Sequence, residues 1–278
     1  MPGRMEYLSL RPVGLASALR LYVAFGAAWL ARLVAPRRFR GAGRYLYGRS
    51  PVRVRVNGLR FDARPRSEDL LYLLPSHKGT VQRWFRPTAG QTVVDVGAHV
   101  GYYSIRAASL GAHVVSIEPN PSTAAALRAN VRLNHLENVR VEQVALGSSA
   151  GSALLEVPEI WDGRASFHPG WASGGRADTR LTPLPVRVVT LDNLMGANPP
   201  PSVDWLLIDV EGSELEVLQG GRATLRKTRH LLLEISEGSE EACRSLLVTE
   251  HGFRVLSVER QTPHTEYLVA QGPDPRGA

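Results

Sequence analysis

The chain has 278 residues, with 33 Lys or Arg against 26 Asp or Glu and a formal net charge of +7. That length suits one large domain with an appendage, and the single cysteine, Cys243, excludes an internal disulfide framework. Neither Cys-x-x-Cys nor His-Glu-x-x-His occurs, so spacing predicts no metal site.

The basic excess is local. Residues 1–60 carry twelve arginines and one acid, Glu6, while the rest of the chain is net acidic. Residues 13–35 are rich in Ala, Leu and Val, but Arg20 and Arg32 confine the uncharged run to Leu21–Ala31. A membrane span needs about 20 apolar residues, so this run is too short. Leu15, Leu19, Tyr22, Trp29 and Leu33 fall on one helical face, with Gly26 as a gap in it. Pro36 ends the pattern, and Arg37, Arg38, Arg40, Arg44 and Arg49 come next, interleaved with Phe39, Tyr45 and Tyr47. Two readings stand. One is an interfacial helix with a basic anchor at an anionic membrane surface. The other is a helical arm packed on the domain or on a second subunit. Without a convincing leader cleavage pattern, the expectation is a cytoplasmic protein, with peripheral membrane contact only on the first of these readings. A basic arm alone does not make nucleic acid the partner, and the sequence leaves the oligomeric state open.

Val52 to Phe61 alternates apolar and polar residues around Asn57-Gly58, a hairpin signal. The arm, with the start of this hairpin, is assigned to residues 1–60 and the main domain to 61–278. Asp69–Leu74 and Gly79–Phe85 predict two short helices, with His77 and Lys78 in the polar loop between them.

The chain is organised around Thr92 to Asn120. Val93, Val94 and Val96 read as a strand buried on both faces. Gly97 and Gly101 come directly after it, Tyr102–Leu110 predicts a short helix, and Gly111 stands where a helix-terminating glycine belongs. Val114–Ile117 is a second strand ending at Glu118, 21 residues after Gly97. An acid about 20 residues beyond the first glycine is where a βαβ unit brings a carboxylate to a ribose diol. The glycine spacing is G-x-x-x-G, not the G-x-G-x-x-G of a dinucleotide site, and Asp95 precedes it. A carboxylate there repels a diphosphate but suits a sulfonium or an amino group. That favours S-adenosyl-L-methionine over NAD. The predicted cofactor residues are Asp95, Gly97, Ala98, His99, Gly101, Tyr102, Ser104, Glu118, Pro119 and Asn120.

Asn120 and Pro121 make a helix start, with Ala124, Leu127 and Val131 on its inner face. Val139–Val144 is a third strand; Ala145 and Leu146 come after it, where either an adenine pocket or a plain strand exit fits. Residues 158–185 recur in Gly and Pro without periodicity and read as a lid, a binding loop or disorder. There Asp162, Arg164, Ser166 and His168 are candidates to meet an acceptor, with Trp161 and Trp171 to stack on it. Asn198-Pro199-Pro200 reads as a turn. Val203–Ile208 is a fourth buried strand ending in Asp209-Val-Glu-Gly, and Ser213 with Glu216 predicts a capping box. Leu231–Ile235 is a fifth strand whose Glu234 interrupts an apolar run, so it must be paired or face the site. A helix from Ser239 stops at Gly252. Phe253–Val258 and Glu266–Ala270 are the last strands, joined by a turn with Pro263 and His264.

By this point the chain resembles the FkbM family of methyltransferases. The matching stretches are Val-Val-Asp-Val-Gly-Ala-His-Val-Gly-Tyr-Tyr-Ser, Ile-Glu-Pro-Asn-Pro, Val-Ala-Leu-Gly, Val-Thr-Leu-Asp-Asn-Leu and Leu-Ile-Asp-Val-Glu-Gly-Ser-Glu-Leu-Glu-Val-Leu-Gln-Gly. They lie in the family's order over about residues 80–270. The resemblance implies an α/β fold with the Rossmann-like seven-stranded sheet of class I methyltransferases, its last strand antiparallel. It also implies S-adenosyl-L-methionine as cofactor and transfer to a hydroxyl, commonly on sugars, glycolipids or polyketides. Where the family usually has Asn after Gly-Ala, this chain has His99, and where it often has Lys before Ile-Asp-Val-Glu-Gly, it has Leu207.

A hydroxyl acceptor needs somewhere to send its proton, and Asp209, Glu211 and Glu234 are the candidate bases, Asp209 first. A divalent metal on these carboxylates is a lesser reading. A nicotinamide-dependent oxidoreductase is disfavoured by the missing middle glycine and by Asp95. A non-catalytic nucleoside-binding scaffold is disfavoured by the complete set Asp95, Gly97, Glu118 and Asp209.

Overall fold

The computed structural model describes residues 10–23, 51–65, 67–74, 79–158, 163, 165–168, 172, 180–196, 200, 202–262 and 265–273. Strands β1 (Arg11–Pro12), β2 (Val52–Val56) and β3 (Leu59–Ala63) form a small antiparallel sheet beside residues 15–23, which are helical. Asn57 and Gly58 both take positive φ, 50° and 84°. That is the type I′ turn that Asn-Gly favours. The buried side of this sheet (Val52, Val54, Phe61) packs in one cluster with Leu10, Leu21, Tyr102 and Leu127. The division drawn at residue 60 therefore runs through the hairpin, which shares its core with Tyr102 and Leu127 of the main domain.

Two short helices, α1 (Asp69–Tyr72) and α2 (Gly79–Trp84), lead into the central sheet. In chain order come β4 (Thr92–Val96), α3 (Tyr102–Ser109), β5 (His113–Ile117), α4 (Pro121–Leu133), β6 (Val139–Glu142), β7 (Ala145–Leu146), β8 (Gly151–Pro158) and β9 (Leu181–Val189). After these come α5 (Leu191–Met195), β10 (Val203–Ile208), α6 (Glu214–Gln219), α7 (Arg222–Leu225), β11 (Thr228–Ser236), α8 (Glu240–Ser245), β12 (Arg254–Thr262) and β13 (Thr265–Gln271). The seven-stranded sheet has the order β12-β13-β11-β10-β4-β5-β6, with β4, β5, β6, β10 and β11 parallel and β13 antiparallel to both neighbours. The expected α/β sheet with an inserted antiparallel last strand is present.

The continuous apolar runs arise because both faces are covered. Val94, Leu206 and Leu233 pack in one cluster with Val217, Leu225 and Leu247. Their neighbours Val93, Leu207 and Leu232 face the other way, against Val81, Phe85 and Ala107. Cys243 is buried in the first of these clusters, as core packing requires. Asn120 caps α4 by accepting the Ser122 N–H at 3.0 Å, and Pro121 opens the helix as expected.

Two expectations are corrected. The region read as irregular to residue 185 contains the start of β9, which pairs antiparallel with β8 and parallel with β7 in a second sheet. Its prolines, Pro183 and Pro185, stand two residues apart, opposite Glu156 and Leu154. Both rings therefore fall on the same edge of the strand, where no ladder hydrogen bond is lost. The predicted capping box is not formed: Ser213 makes no side-chain cap bond to α6. Glu214 takes over, its Oε1 accepting the Gly212 N–H and the Ser236 hydroxyl, each at 2.8 Å.

Candidate active site

Parallel pairing builds the site. Leu207 on β10 lies opposite Asp95 on β4 and Leu232 on β11, and Ile208 opposite Leu233. Side chains alternate along a strand, so two residues further on Asp209 and Glu234 emerge on the same face. Glu234 in turn pairs with Tyr267 on β13. Acids and tyrosine thus gather at the carboxyl edge of the sheet. The chain reverses its direction of strand addition between β4 and β10, where open α/β sheets bind ligands.

Asp209 and Glu234 hydrogen-bond to each other, and the Tyr267 hydroxyl donates to Glu234 Oε2 at 3.2 Å. Desolvation acts on both carboxyls, and neighbouring carboxylates add to it. Burial first, then the charge of Glu234, pushes Asp209 well above the ordinary carboxylate range. Burial pushes Glu234 up to about 7. Buried side by side, the two carboxyls resist ionising together, and the pair titrates as a unit. Tyr72, Tyr103 and Tyr267 surround it, and burial together with the nearby carboxylates pushes each phenol well above its usual value.

Glu211 occupies the turn after Asp209 with φ 52°, and Gly212 is next at φ 105°. A left-handed glutamate is uncommon. Its carbonyl accepts the hydroxyl of buried Ser166 at 2.7 Å, and Ser213 Oγ lies 3.4 Å from His168 Nε2. Ser166 and His168 therefore lie against the acidic turn; Asp162, Arg164, Trp161 and Trp171 fall outside the described residues. So do His77, Lys78, Pro263 and His264, and the predicted turn at Asn198 and Pro199.

On the other side of the switch point, Glu118 ends β5. Its Oε2 accepts the His99 N–H at 3.1 Å and its Oε1 the Asn120 N–H at 2.9 Å. A carboxylate offers about four lone-pair sites. This one ties the glycine loop to the start of α4 and suits a diol as well. Glu118→Ala is expected to weaken nucleoside binding by about 10–100-fold in calorimetry, because the loop amides and the diol lose one acceptor together. Pro119 lies next to it on the same loop.

Asp95 is buried and accepts the Ser104 hydroxyl, which in turn accepts that of Ser116 at 2.7 Å. The chain of bonds ties α3 to β4 and β5, so Ser104 acts on Asp95. Gly97 takes φ 80°, and the group that approaches it is the backbone of Asp209. Ala98 and Tyr102 are buried in the cluster beneath the hairpin. The Tyr102 hydroxyl accepts from Asn57 at 3.0 Å and Gln82 at 2.8 Å, and the Gly101 cradle is filled by Leu127. Ala145 and Leu146 are strand residues whose side chains pack in two apolar clusters.

His99, also left-handed at φ 49°, sets its imidazole 4.6 Å from the Tyr72 ring, tilted by 50°, and lies 3.7 Å from Asp69. Asp69 is fully buried and is gripped by Arg64, through Nη2 at 2.7 Å, Nε at 3.0 Å and its own N–H at 2.7 Å. This Arg64–Asp69–His99–Tyr72 unit carries no motif and was not legible in sequence; nor were Tyr103 and Tyr267. Among the described residues no group of three or more His, Cys, Asp or Glu is arranged to hold a metal ion.

The methyltransferase FkbM domain matches residues 95–255. The chain is 26% identical over 167 residues to the 2-O-methyltransferase NoeI of Sinorhizobium fredii, covering 52% of this chain and 63% of that protein. It is 27% identical over 156 residues to the hexuronic acid methyltransferase AglP of Haloferax volcanii, covering 56% and 60%. It therefore spans less than two thirds of either relative. Among solved structures, Trm5b from Pyrococcus abyssi aligns with a TM-score of 0.45 at 16% identity, covering 80% of this chain and 55% of that one. The domain match extends over more than half of the chain and includes Asp95, Glu118, Asp209 and Glu234. With the glycine loop, the ribose-distance acid and the acidic strand ends in that one stretch, the chain belongs to the FkbM methyltransferase family.

Proposed function

We propose that this protein transfers a methyl group from S-adenosyl-L-methionine to a hydroxyl of a sugar-like acceptor, a free sugar or a glycolipid. The observation that carries the reading is the Asp209–Glu234 pair, two hydrogen-bonded acids at the point where the sheet reverses. Asp95 beside the glycine loop and Glu118 at the end of β5 favour this cofactor. The bound sulfonium would supply a methyl group already activated for displacement. Positioning and proton removal are left to the chain. The ionised member of the pair accepts a hydrogen bond from the acceptor hydroxyl and takes its proton as the new O–C bond forms. Asp209, just beyond β10 and beside the loop, fills that role with the pair's proton on Glu234; Glu211 stands further out, beside Ser166, where it would orient the acceptor. The relatives' names, which specify a 2-O position and a hexuronic acid, support a sugar.

The test is formation of S-adenosylhomocysteine with a panel of sugars and hexuronic acids, beside calorimetric titrations with S-adenosyl-L-methionine and with NAD. Binding of NAD and not of S-adenosyl-L-methionine would overturn the reading. Tyr267→Phe is expected to move the acid limb of the kcat/KM profile to higher pH by about 0.5–1 unit. Glu234 loses the donor that favours its ionised form, a bond worth about 1 kcal/mol. An unmoved limb would remove Glu234 from the titrating unit.

A further inference from the structure

The helical residues 15–23 are seated on the domain by one face and show an apolar face on the other. Leu21 is fully buried with Leu10, Val54 and Phe61. Ser17 Oγ accepts the Arg53 N–H at 3.2 Å, and the Arg20 guanidinium donates to the Pro51 carbonyl at 3.2 Å. At about 100° per residue, Leu15, Leu19, Tyr22 and Val23 fall within one arc, opposite Ser17 and Leu21. They are 91%, 67%, 52% and 56% exposed. A helix resting on a core by one stripe normally turns charged and polar residues outward. Here four large apolar side chains stand together instead, and contiguous exposed apolar surface marks an interaction site.

Charge selects the partner. Residues 1–60 carry twelve arginines and one acid, while the rest of the chain is net acidic. Arg20 adjoins the apolar arc on the helix, and Arg11 on β1 is exposed as well. A second copy of the same surface would bring like charges together, whereas an anionic lipid surface offers both an apolar layer and phosphates.

We propose that this face docks the protein on an anionic membrane surface, with Leu15, Leu19, Tyr22 and Val23 at the boundary of headgroups and acyl chains and the arginines at the phosphates. Among the described residues no helix is long and apolar enough to cross a membrane, so the contact is peripheral for this segment. The proposal is independent of the methyl-transfer reading.

The experiment is flotation of the full-length protein with phosphatidylcholine vesicles, with and without phosphatidylglycerol. The protein is expected to float with the anionic vesicles, less as salt rises, and at least about tenfold less as the L15E/L19E double variant, which loses two apolar anchors. Both positions are exposed, so the melting temperature of the variant stays near that of the parent. Absence of flotation with anionic vesicles, equal flotation with neutral ones, or undiminished flotation of the variant would each overturn the proposal. So would a dimer, dispersed by the same substitutions, in a protein that does not float.

Discussion

Asp209→Asn is expected to lower kcat by about a thousandfold, within the range that general-base catalysis contributes, and to raise thermal stability at pH 8. The same carboxyl is responsible for both effects. It lies partly buried against Glu234; burial and the charge of Glu234 hold it well above the carboxylate range, and burial pushes Glu234 up to about 7. A group whose pKa is higher folded than unfolded binds more protons in the native state, so the stability it contributes is complete at low pH and is lost as pH rises through the folded value. For Asp209 that window opens at its ordinary 3.8 and extends well above it. Asparagine keeps the shape and the hydrogen bond to Glu234 but cannot ionise. The variant should therefore match the parent near pH 4 and exceed it by several degrees in melting temperature at pH 8. Calorimetric melts at both pH values, with single-turnover formation of S-adenosylhomocysteine, check the two halves. Full turnover in Asp209→Asn, with loss in Glu234→Gln, would move the base to Glu234. An unchanged melt at pH 8 would show that the pair is not strained by its charge.

The parts of the fold legible in sequence are those that neighbouring residues decide. Asn57-Gly58 sets its turn through two positive φ angles, and Asn120-Pro121 opens its helix by a cap and a fixed φ. Val93, Val94 and Val96 declare a strand covered on both faces. The site was legible only in part, because its geometry depends on register between distant segments. Asp209 and Glu234 were each recognisable as acids that an apolar strand does not explain. Their meeting depends on Ile208 pairing with Leu233, which no local pattern encodes. Tyr267 enters through an antiparallel strand inserted beside β11, and Arg64 and Asp69 meet His99 across a chain separation with no periodicity to mark it. The predicted Ser213–Glu216 box fits the sequence equally well, but Glu214 has a better partner in Ser236, which arrives from another strand.

Gly97→Ala is expected to cost more than about 4 kcal/mol, which places it among the exceptional single substitutions. The backbone at Gly97 has φ 80°, where an L side chain costs about 1–2 kcal/mol. The larger share comes from overlap. A Cβ there would occupy the position of the Asp209 carbonyl oxygen and lie 2.8 Å from its carbonyl carbon. Backbone cannot rotate away as a side-chain end can. Relief requires β4 and β10 to separate at their carboxyl ends, which breaks the Asp209 N–H bond to the Val96 carbonyl at 3.0 Å and carries the acid pair out of register with the glycine loop. Gly101 provides the contrast: its added Cβ would overlap Leu127 Cδ1, the end of a side chain. Gly101→Ala carries the same left-handed cost at φ 90° but can relax by moving that leucine, so a loss of about 2 kcal/mol is expected. Urea denaturation of both variants separates the two accounts. A larger loss at Gly101 would mean that the glycine loop is shaped by the packing of α4 and not by the approach of Asp209. A Gly97→Ala protein that melts like the parent but no longer binds S-adenosyl-L-methionine would return Gly97 to the role its position in the motif first suggests, a residue kept small for the ligand. Loss of both together is the outcome expected of a loop that must admit the neighbouring strand before it can admit a cofactor.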